Sequence, residues 1–90
     1  MKKTHILASR NSKLINKIYK LLPLREEKKD YLAEINKIIE EVSAIRKVSD
    51  EEIYFTVQYK LEWLKEKEDF FQYRSLIFEI LSDIKRNEQC

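Results

Sequence analysis

Four segments of the chain repeat apolar residues every three or four positions, the spacing that lines one face of an α-helix. The predicted helices cover residues 9–22, 24–46, 50–65 and 69–86. The apolar face of the last one consists of Phe70, Tyr73, Leu76, Ile77, Ile80, Leu81 and Ile84. The pattern therefore predicts an all-α fold, an antiparallel four-helix bundle in a single domain over residues 1–90.

Local residues predict where the helices begin and end. Pro23 has no backbone N–H and disfavours α geometry at Leu22, so we expect the first helix to stop there and Pro23 to open the next. Glu26 and Glu27 would then lie in the first turn of that second helix, where negative charge suits the helix dipole. Its last turn would be closed by Arg46 and Lys47, which have the sign preferred at a helix C-terminus.

The start of the third helix matches a capping box. Ser49 and Glu52 have the required spacing, and Val48 with Ile53 would form the accompanying hydrophobic staple.

The third helix is apolar on two sides. One stripe contains Ile53, Val57, Leu61 and Leu64, and the other contains Phe55, Tyr59 and Trp63. Such a helix is either central in a bundle or half exposed at an interface, and we favour the bundle interior.

Residues 65–69 join the third and fourth helices without a glycine, a proline or a strong cap. The stripe that ends at Leu64 is replaced beyond this segment by one about half a turn away, which favours a break. The Phe55 stripe, however, continues in phase through Phe70, Ile77 and Ile84, which would permit one long helix. We expect the break, because a chain of this size buries more apolar surface when it folds back.

The chain contains no glycine. Glycine is the usual residue at positive φ, so phosphate-binding glycine loops and nucleophile elbows are excluded. The single histidine, His5, and the single cysteine, Cys90, lie at opposite ends of the sequence. Neither a metal site nor a Cys/His catalytic set is therefore expected. We expect a binding protein without a cofactor, not an enzyme.

Charge is distributed unevenly along the chain. Residues 1–29 carry nine Lys or Arg and two Glu, a net +7, whereas residues 30–90 carry nine Lys or Arg and fourteen Asp or Glu, a net −5. A basic stripe on the first helix consists of Arg10, Lys13, Lys17 and Lys20. It would pair with the later acidic helices, contact a membrane surface or bind nucleic acid. Nucleic acid is the least favoured, since Tyr19 is the only aromatic residue beside the stripe.

The lone cysteine fits a reducing compartment, and no apolar run is long enough to span a bilayer or to act as a secretory signal. We therefore expect a cytoplasmic protein, with peripheral membrane contact through the basic helix as an option.

Several segments resemble a known family, the immunity proteins of class IIa (pediocin-like) bacteriocins, or enterocin A immunity family. The first-helix pattern is matched by Leu14-Ile15-Asn16-Lys17-Ile18-Tyr19. The later helices are matched by Ile53-Tyr54-Phe55-Thr56, by Tyr73 and by Ile80-Leu81-Ser82-Asp83-Ile84. The missing glycine and the short C-terminal tail depart from the family pattern.

The resemblance implies a four-helix bundle in the cytosol of a Gram-positive bacterium. Such a protein protects its cell from a bacteriocin that opens pores at the mannose permease, engaging the permease complex from inside. The C-terminal half would select the bacteriocin, which places recognition at Arg74, Glu79, Lys85 and Arg86.

The aromatic residues around the last join offer a second candidate surface for a protein partner, although they would equally fill the core. This surface would contain Trp63, Phe70, Phe71, Tyr73 and Arg74, and Trp, Tyr and Arg are common at binding hot spots. Two alternatives to the immunity function stay open. One is a small helical interaction module, phage-encoded or dimeric through the Phe55 stripe, and the other is a nucleic-acid binder. The sequence leaves open whether the protein is a monomer or a dimer.

Overall fold

The computed structural model describes residues 11–89, which form five α-helices joined by short turns. They are α1 (Ser12–Tyr19), α2 (Leu21–Glu26), α3 (Tyr31–Arg46), α4 (Glu52–Leu64) and α5 (Phe70–Gln89). Only Lys20 separates α1 from α2, and together they form the first arm of a four-helix bundle.

Side-chain contacts show that neighbouring arms run antiparallel. Asn11, before α1, donates its backbone N–H to Glu88 near the end of α5. The Leu21 carbonyl in α2, by contrast, accepts a hydrogen bond from Tyr73 near the start of α5. Arg46, in the last turn of α3, bonds to Gln58 in the middle of α4, and Asn36, in the first half of α3, bonds to Lys65 just after α4. The predicted all-α antiparallel bundle is confirmed.

One cluster of buried apolar side chains forms the core and includes members from all five helices. The cluster contains the α4 stripe of Ile53, Val57, Leu61 and Leu64 and six of the seven predicted α5 positions, with Phe70 half buried against it. Periodicity therefore identified the inward faces of both helices. Leu32 follows the apolar spacing of α3, yet it is exposed.

Pro23 interrupts the first arm earlier than predicted. Because Pro23 lacks the N–H that would bond to the carbonyl of Tyr19, and its ring crowds that carbonyl, the helix breaks at Lys20. It restarts at Leu21 with Pro23 in the first turn, where proline is tolerated. The expected stop at Leu22 is wrong, since Leu22 is helical.

The next helix begins at Tyr31, not at residue 24. Glu26 and Glu27 consequently end α2 instead of opening α3. The N-cap of α3 is Asp30, whose carboxylate accepts a hydrogen bond from the Ala33 N–H at 3.1 Å. Arg46 lies in the last turn of α3, as predicted.

The predicted capping box before α4 is wrong. The helix starts at Glu52, and the Ser49 hydroxyl accepts from the Glu51 N–H at 3.2 Å instead of from the amide of Glu52. Val48 is 87% exposed, so it forms no hydrophobic staple with Ile53. The connection is instead a local side-chain turn, which places the start of the helix two residues later.

The break between the last two helices is confirmed, because α4 ends at Leu64 and α5 begins at Phe70. The Asp69 carboxylate accepts from the Gln72 N–H at 3.1 Å, at the first turn of α5. The Arg25 guanidinium, from α2, donates to the carbonyls of Lys67 and Glu68 at 2.7 and 2.5 Å. A side chain distant in sequence thus supports a turn that carries no glycine.

Helix α5 continues to Gln89, beyond the predicted end at residue 86. The polar tail is held by two contacts. The Glu88 carboxylate accepts from the backbone N–H of Asn11 at 3.1 Å, and Asn87 bonds to Glu51 at 3.4 Å. These contacts join the tail to Asn11, at the start of the described residues, and to Glu51, just before α4.

Candidate functional site

Four large aromatic side chains are exposed on one side of the bundle, and we call them the aromatic face: Phe55, Tyr59, Trp63 and Phe71. Their exposed fractions lie between 47% and 66%. The expectation that the Phe55 stripe lies in the bundle interior is wrong. Helix α4 packs on α3 and α5 through its other stripe, and a bundle of four arms has no further helix to cover the outward side.

Contacts along the aromatic face hold several of its rings in place. The Arg46 guanidinium lies 3.7 Å from the centroid of the Phe55 ring and donates to Gln58 at 2.6 Å. The rings of Tyr59 and Trp63 have centroids 5.2 Å apart. Trp63 and Phe71 line a groove of about 350 Å³ between α4 and α5. The face is therefore a row of rings that ends in a groove large enough for a side chain.

A second exposed surface lies between the first arm and the last helix, and we call it the α1–α5 groove. Tyr19 and Phe78 meet there edge to face, with centroids 6.1 Å apart. Lys85 and Arg86 line the same groove, which has a volume of about 300 Å³. The Arg74 guanidinium lies 5.7 Å from the Phe78 ring centroid. The groove thus combines aromatic side chains with cations.

Helices α4 and α5 are also joined by a cluster of charges. Lys60 lies 2.6 Å from the carboxylates of both Glu79 and Asp83, and Asp83 also pairs with Arg86 at 2.6 Å. Burial lowers the pKa of Lys60, but the two carboxylates raise it by more, so it lies above its ordinary value. The cluster connects two helices of the bundle, and both Glu79 and Arg86 take part in it.

The predicted partner residues divide among three environments. Trp63 lies on the aromatic face, whereas Arg74, Lys85 and Arg86 are exposed at or beside the α1–α5 groove. Glu79 lies in the charge cluster. Phe70 and Tyr73 form the third environment, at the edge of the core and inside it.

Tyr73 is a core residue, which corrects its placement on a partner surface. It is fully buried, and its hydroxyl donates to the Leu21 carbonyl at 2.9 Å. Its ring is flanked by Phe70, with centroids 6.1 Å apart, and by the Arg25 guanidinium, 4.5 Å from its centroid. Burial raises the pKa of Tyr73 well above its ordinary value, against the opposing charge of Arg25.

The basic stripe is partly neutralised. Lys17 pairs with Glu41 of α3 at 2.6 Å, as the intramolecular alternative expects, while Lys13 and Lys20 are exposed. Arg10 lies outside the described residues. Lys17 and Lys20 line a cleft of about 680 Å³ that is also lined by Lys29, Lys37, Glu27, Glu34 and Glu41. Because this cleft mixes both signs of charge, it has no strong preference for an anion.

Two surface aromatics, Tyr19 and Phe78, were missing from the predicted sites, whereas Phe71 was predicted among the aromatic residues around the last join. Tyr19 follows the apolar spacing of the first helix, yet it is 47% exposed. Phe78 falls outside the α5 row that contains Tyr73 and Ile77. That off-row position is the pattern that would have indicated its exposure.

No helix within residues 11–89 is both long enough and apolar enough to cross a membrane. The same residues contain no group of three or more His, Cys, Asp or Glu side chains placed to hold a metal ion. Comparison of the chain with protein-family models, curated proteins and solved structures finds no match.

Proposed function

We propose that the protein acts by binding another protein, as a bacteriocin immunity protein of the class IIa type. It would bind the complex of a bacteriocin with the mannose permease, from the cytosolic side, and so protect the cell. Two features support this proposal: the sequence resemblance described above and the bundle topology that the resemblance implies. No part of the proposed activity requires a catalytic group or a cofactor.

The observation that carries the proposal is the composition of the α1–α5 groove. Tyr and Arg are enriched at binding hot spots, and Phe is enriched at protein interfaces. The groove brings Phe78 together with Lys85 and Arg86, which lie on the helix where the resemblance implies recognition. We infer that a partner with an apolar residue flanked by carboxylates docks here.

Peripheral membrane contact would be weak in this scheme. Each Lys or Arg near an anionic bilayer contributes about 1 kcal/mol. The exposed Lys13 and Lys20 would therefore add only about 2 kcal/mol to the retention of the first arm at the membrane. We propose a cytoplasmic protein that binds its membrane partner through protein contacts, with the lysines orienting it.

A protection assay tests the proposed function. The full chain is expressed in a strain sensitive to class IIa bacteriocins, which is then challenged with a broad panel of these peptides. We expect higher survival against at least one peptide. Sensitivity to every peptide, despite folded protein in the cell, would contradict the immunity function.

Charge reversal tests whether the partner binds in the α1–α5 groove. Lys85→Glu combined with Phe78→Ala should abolish protection, because it removes both the cation and the ring from the groove. Lys47→Glu, a reversal at another exposed lysine, is the matched control and should preserve protection. Circular dichroism verifies that both variants remain helical, and equal protection by the two would refute the groove assignment.

A further inference from the structure

The charges that border the aromatic face balance one another. Three cations and three carboxylates lie around its four rings: Arg46, Lys65, Lys67, Glu52, Glu62 and Glu66. Because their formal charges sum to zero, the face has no preference for a partner of high net charge of either sign. The positions of these charges and of the rings decide what fits the face.

Along the edge of the aromatic face next to α3, the charge changes from positive to negative. The Arg46 guanidinium lies 3.7 Å from the Phe55 ring centroid, towards the start of α4. Glu62 follows seven residues after Phe55, or about 10 Å along the helix. It lies on the side of α4 where Lys65 reaches α3, and it pairs with that lysine at 3.2 Å. Glu66 is exposed beyond them, so carboxylates outnumber cations at this end.

Along the edge next to α5, the order of the charges is reversed. Glu52 is exposed at the start of α4, beside the cleft between α4 and α5 that Lys60 and Arg86 line. Both of those cations already pair with the carboxylate of Asp83, at 2.6 Å. Lys67 follows the end of α4 and lines the groove of the aromatic face. This edge therefore changes from negative to positive in the direction in which the other changes from positive to negative.

The two ends of the aromatic face also differ in shape. At one end the Phe55 ring is 51% exposed, with Arg46 against it. At the other end Trp63 and Phe71 line the groove of about 350 Å³. Tyr59 lies midway in the row, four residues from Phe55 and four from Trp63. The face therefore carries a projecting ring and a groove at matching distances from its centre.

We propose that the protein forms a homodimer through the aromatic face, with two α4 helices antiparallel about a two-fold axis at Tyr59. The Phe55 ring of each copy enters the groove of the other. The rings repeat every four residues, and such rows pack into one another at a crossing angle of about 50° in the commonest class of helix pair. A parallel pairing would oppose groove to groove and leave both without a ring.

The charges of the two copies are complementary in this antiparallel dimer. Each edge of α4 faces the same edge of the second copy with its ends exchanged. Arg46 therefore faces Glu62 of the second copy, and Glu52 faces Lys67 of the second copy. Because the interface is isologous, each of these pairs occurs twice. A face with balanced charge thus becomes specific for itself through their order.

The aromatic face has enough area for a dimer of moderate affinity. An aromatic side chain offers about 150–250 Å², so four rings exposed by about half leave roughly 400 Å² of apolar surface. Interfaces are about 60% apolar, so a polar rim extends this to roughly 650 Å² per copy. Two copies then bury about 1,300 Å², at the low end of the range for specific complexes. We therefore expect a dissociation constant in the micromolar range.

Light scattering of the full chain, from micromolar to millimolar concentration, tests the dimer. We expect a reversible monomer–dimer equilibrium. The emission of Trp63, the chain's single tryptophan, should shift to the blue over the same concentrations. Tyr59→Ser should weaken the dimer about 100-fold, because the central ring is lost from both copies. Tyr19→Ser, at an exposed tyrosine of the α1–α5 groove, is the matched control and should leave dimerisation unchanged.

Mixing two charge-reversed variants tests the antiparallel arrangement. Arg46→Glu alone and Glu62→Lys alone each place two like-charged pairs in the dimer, so each should weaken it at least tenfold. In a mixed dimer of the two variants both pairs again join opposite charges, so the mixture should dimerise about as tightly as the wild type. Glu52→Lys mixed with Lys67→Glu repeats the test at the other edge and leaves the contacts of Arg46 within the monomer intact.

Three results would overturn the proposal in proteins that circular dichroism shows to be helical. The first is a chain that stays monomeric up to millimolar concentration. The second is a dimer that Tyr59→Ser and Tyr19→Ser weaken equally, since the interface would then lie elsewhere. The third is a pair of mixtures that dimerise no more tightly than their separate components. The interface shares no residue with the α1–α5 groove, so these outcomes do not depend on the proposed function.

Discussion

Lys28 holds a backbone conformation that usually belongs to glycine. Its φ is 61°, in the left-handed region, at the turn between α2 and α3. The Lys29 N–H donates to the Leu24 carbonyl and the Lys28 N–H donates to the Arg25 carbonyl, at 2.9 and 3.0 Å. These bonds form a Schellman motif, in which glycine normally occupies the position of Lys28. A sequence without glycine therefore still ends α2 as a glycine-capped helix would end.

Lys28→Gly should stabilise the protein. A left-handed conformation costs an L-residue about 1–2 kcal/mol, and the extra entropy of glycine in the unfolded chain cancels about half of that gain. We expect the free energy of unfolding to rise by about 0.5–1 kcal/mol, measured by urea denaturation.

Lys28→Ala is the control for this substitution, because it removes the charge but keeps the Cβ atom. It should leave the stability unchanged or lower it. A Lys28→Gly variant no more stable than Lys28→Ala would show that the left-handed residue carries no strain.

At the scale of elements, Arg25 connects three parts of the bundle. Its guanidinium lies 5.1 Å from the Tyr31 ring centroid and 4.5 Å from that of Tyr73, so it contacts α3 and α5. It also donates to the carbonyls of Lys67 and Glu68 in the turn after α4. The planar, forked guanidinium can stack and donate at once, which a lysine ammonium cannot do.

Arg25→Lys should therefore destabilise the protein although it preserves the charge. Loss of charge-assisted hydrogen bonds to two carbonyls and of the stacking predicts a cost of about 1.5–3 kcal/mol, measured by urea denaturation. Arg74→Lys, at an exposed arginine of α5, is the matched control and should change stability by less than about 0.5 kcal/mol. Equal, small effects at both positions would mean that the α4–α5 turn does not need Arg25.

The elements differ in how far local sequence predicts them. Helix α5 was predicted within three residues at its C-terminal end, because its apolar row is long and regular. The boundary at Pro23 was misplaced because two effects compete there. Proline is unfavourable inside a helix, but it is accepted in a first turn, so the break moved upstream to Lys20.

At the scale of the whole molecule, two titratable side chains, Tyr73 and Lys60, predict that the folded state is less stable at alkaline pH. The pKa of Tyr73 is raised above its ordinary 10.0 and that of Lys60 above its ordinary 10.5. Both groups keep their protons to higher pH in the folded state, so above about pH 10 the unfolded state binds fewer protons and stability falls as pH rises. Their contribution is complete below about pH 10 and is lost as the pH passes through the raised values.

Tyr73→Phe tests this pH dependence. The variant loses the hydrogen bond to the Leu21 carbonyl, so we expect it to be about 1–2 kcal/mol less stable at neutral pH. Because phenylalanine does not titrate, the decline in stability above about pH 10 should become shallower. Tyr59→Phe, at an exposed tyrosine, should keep the wild-type slope in urea denaturation across pH 8–11. Identical slopes in all three proteins would refute the role of Tyr73.

The sequence alone decided the fold class and which side of α5 faces inward, because helical periodicity is a local property. It also indicated two apolar stripes on α4 and a break within residues 65–69. Only the tertiary structure decided which stripe of α4 is covered, since that depends on how many helices surround it. Tertiary contact likewise placed Arg25 on a turn 42 residues away, which no local pattern encodes. The aromatic face is exposed for the same reason, as four arms bury one side of α4 and leave the other side uncovered.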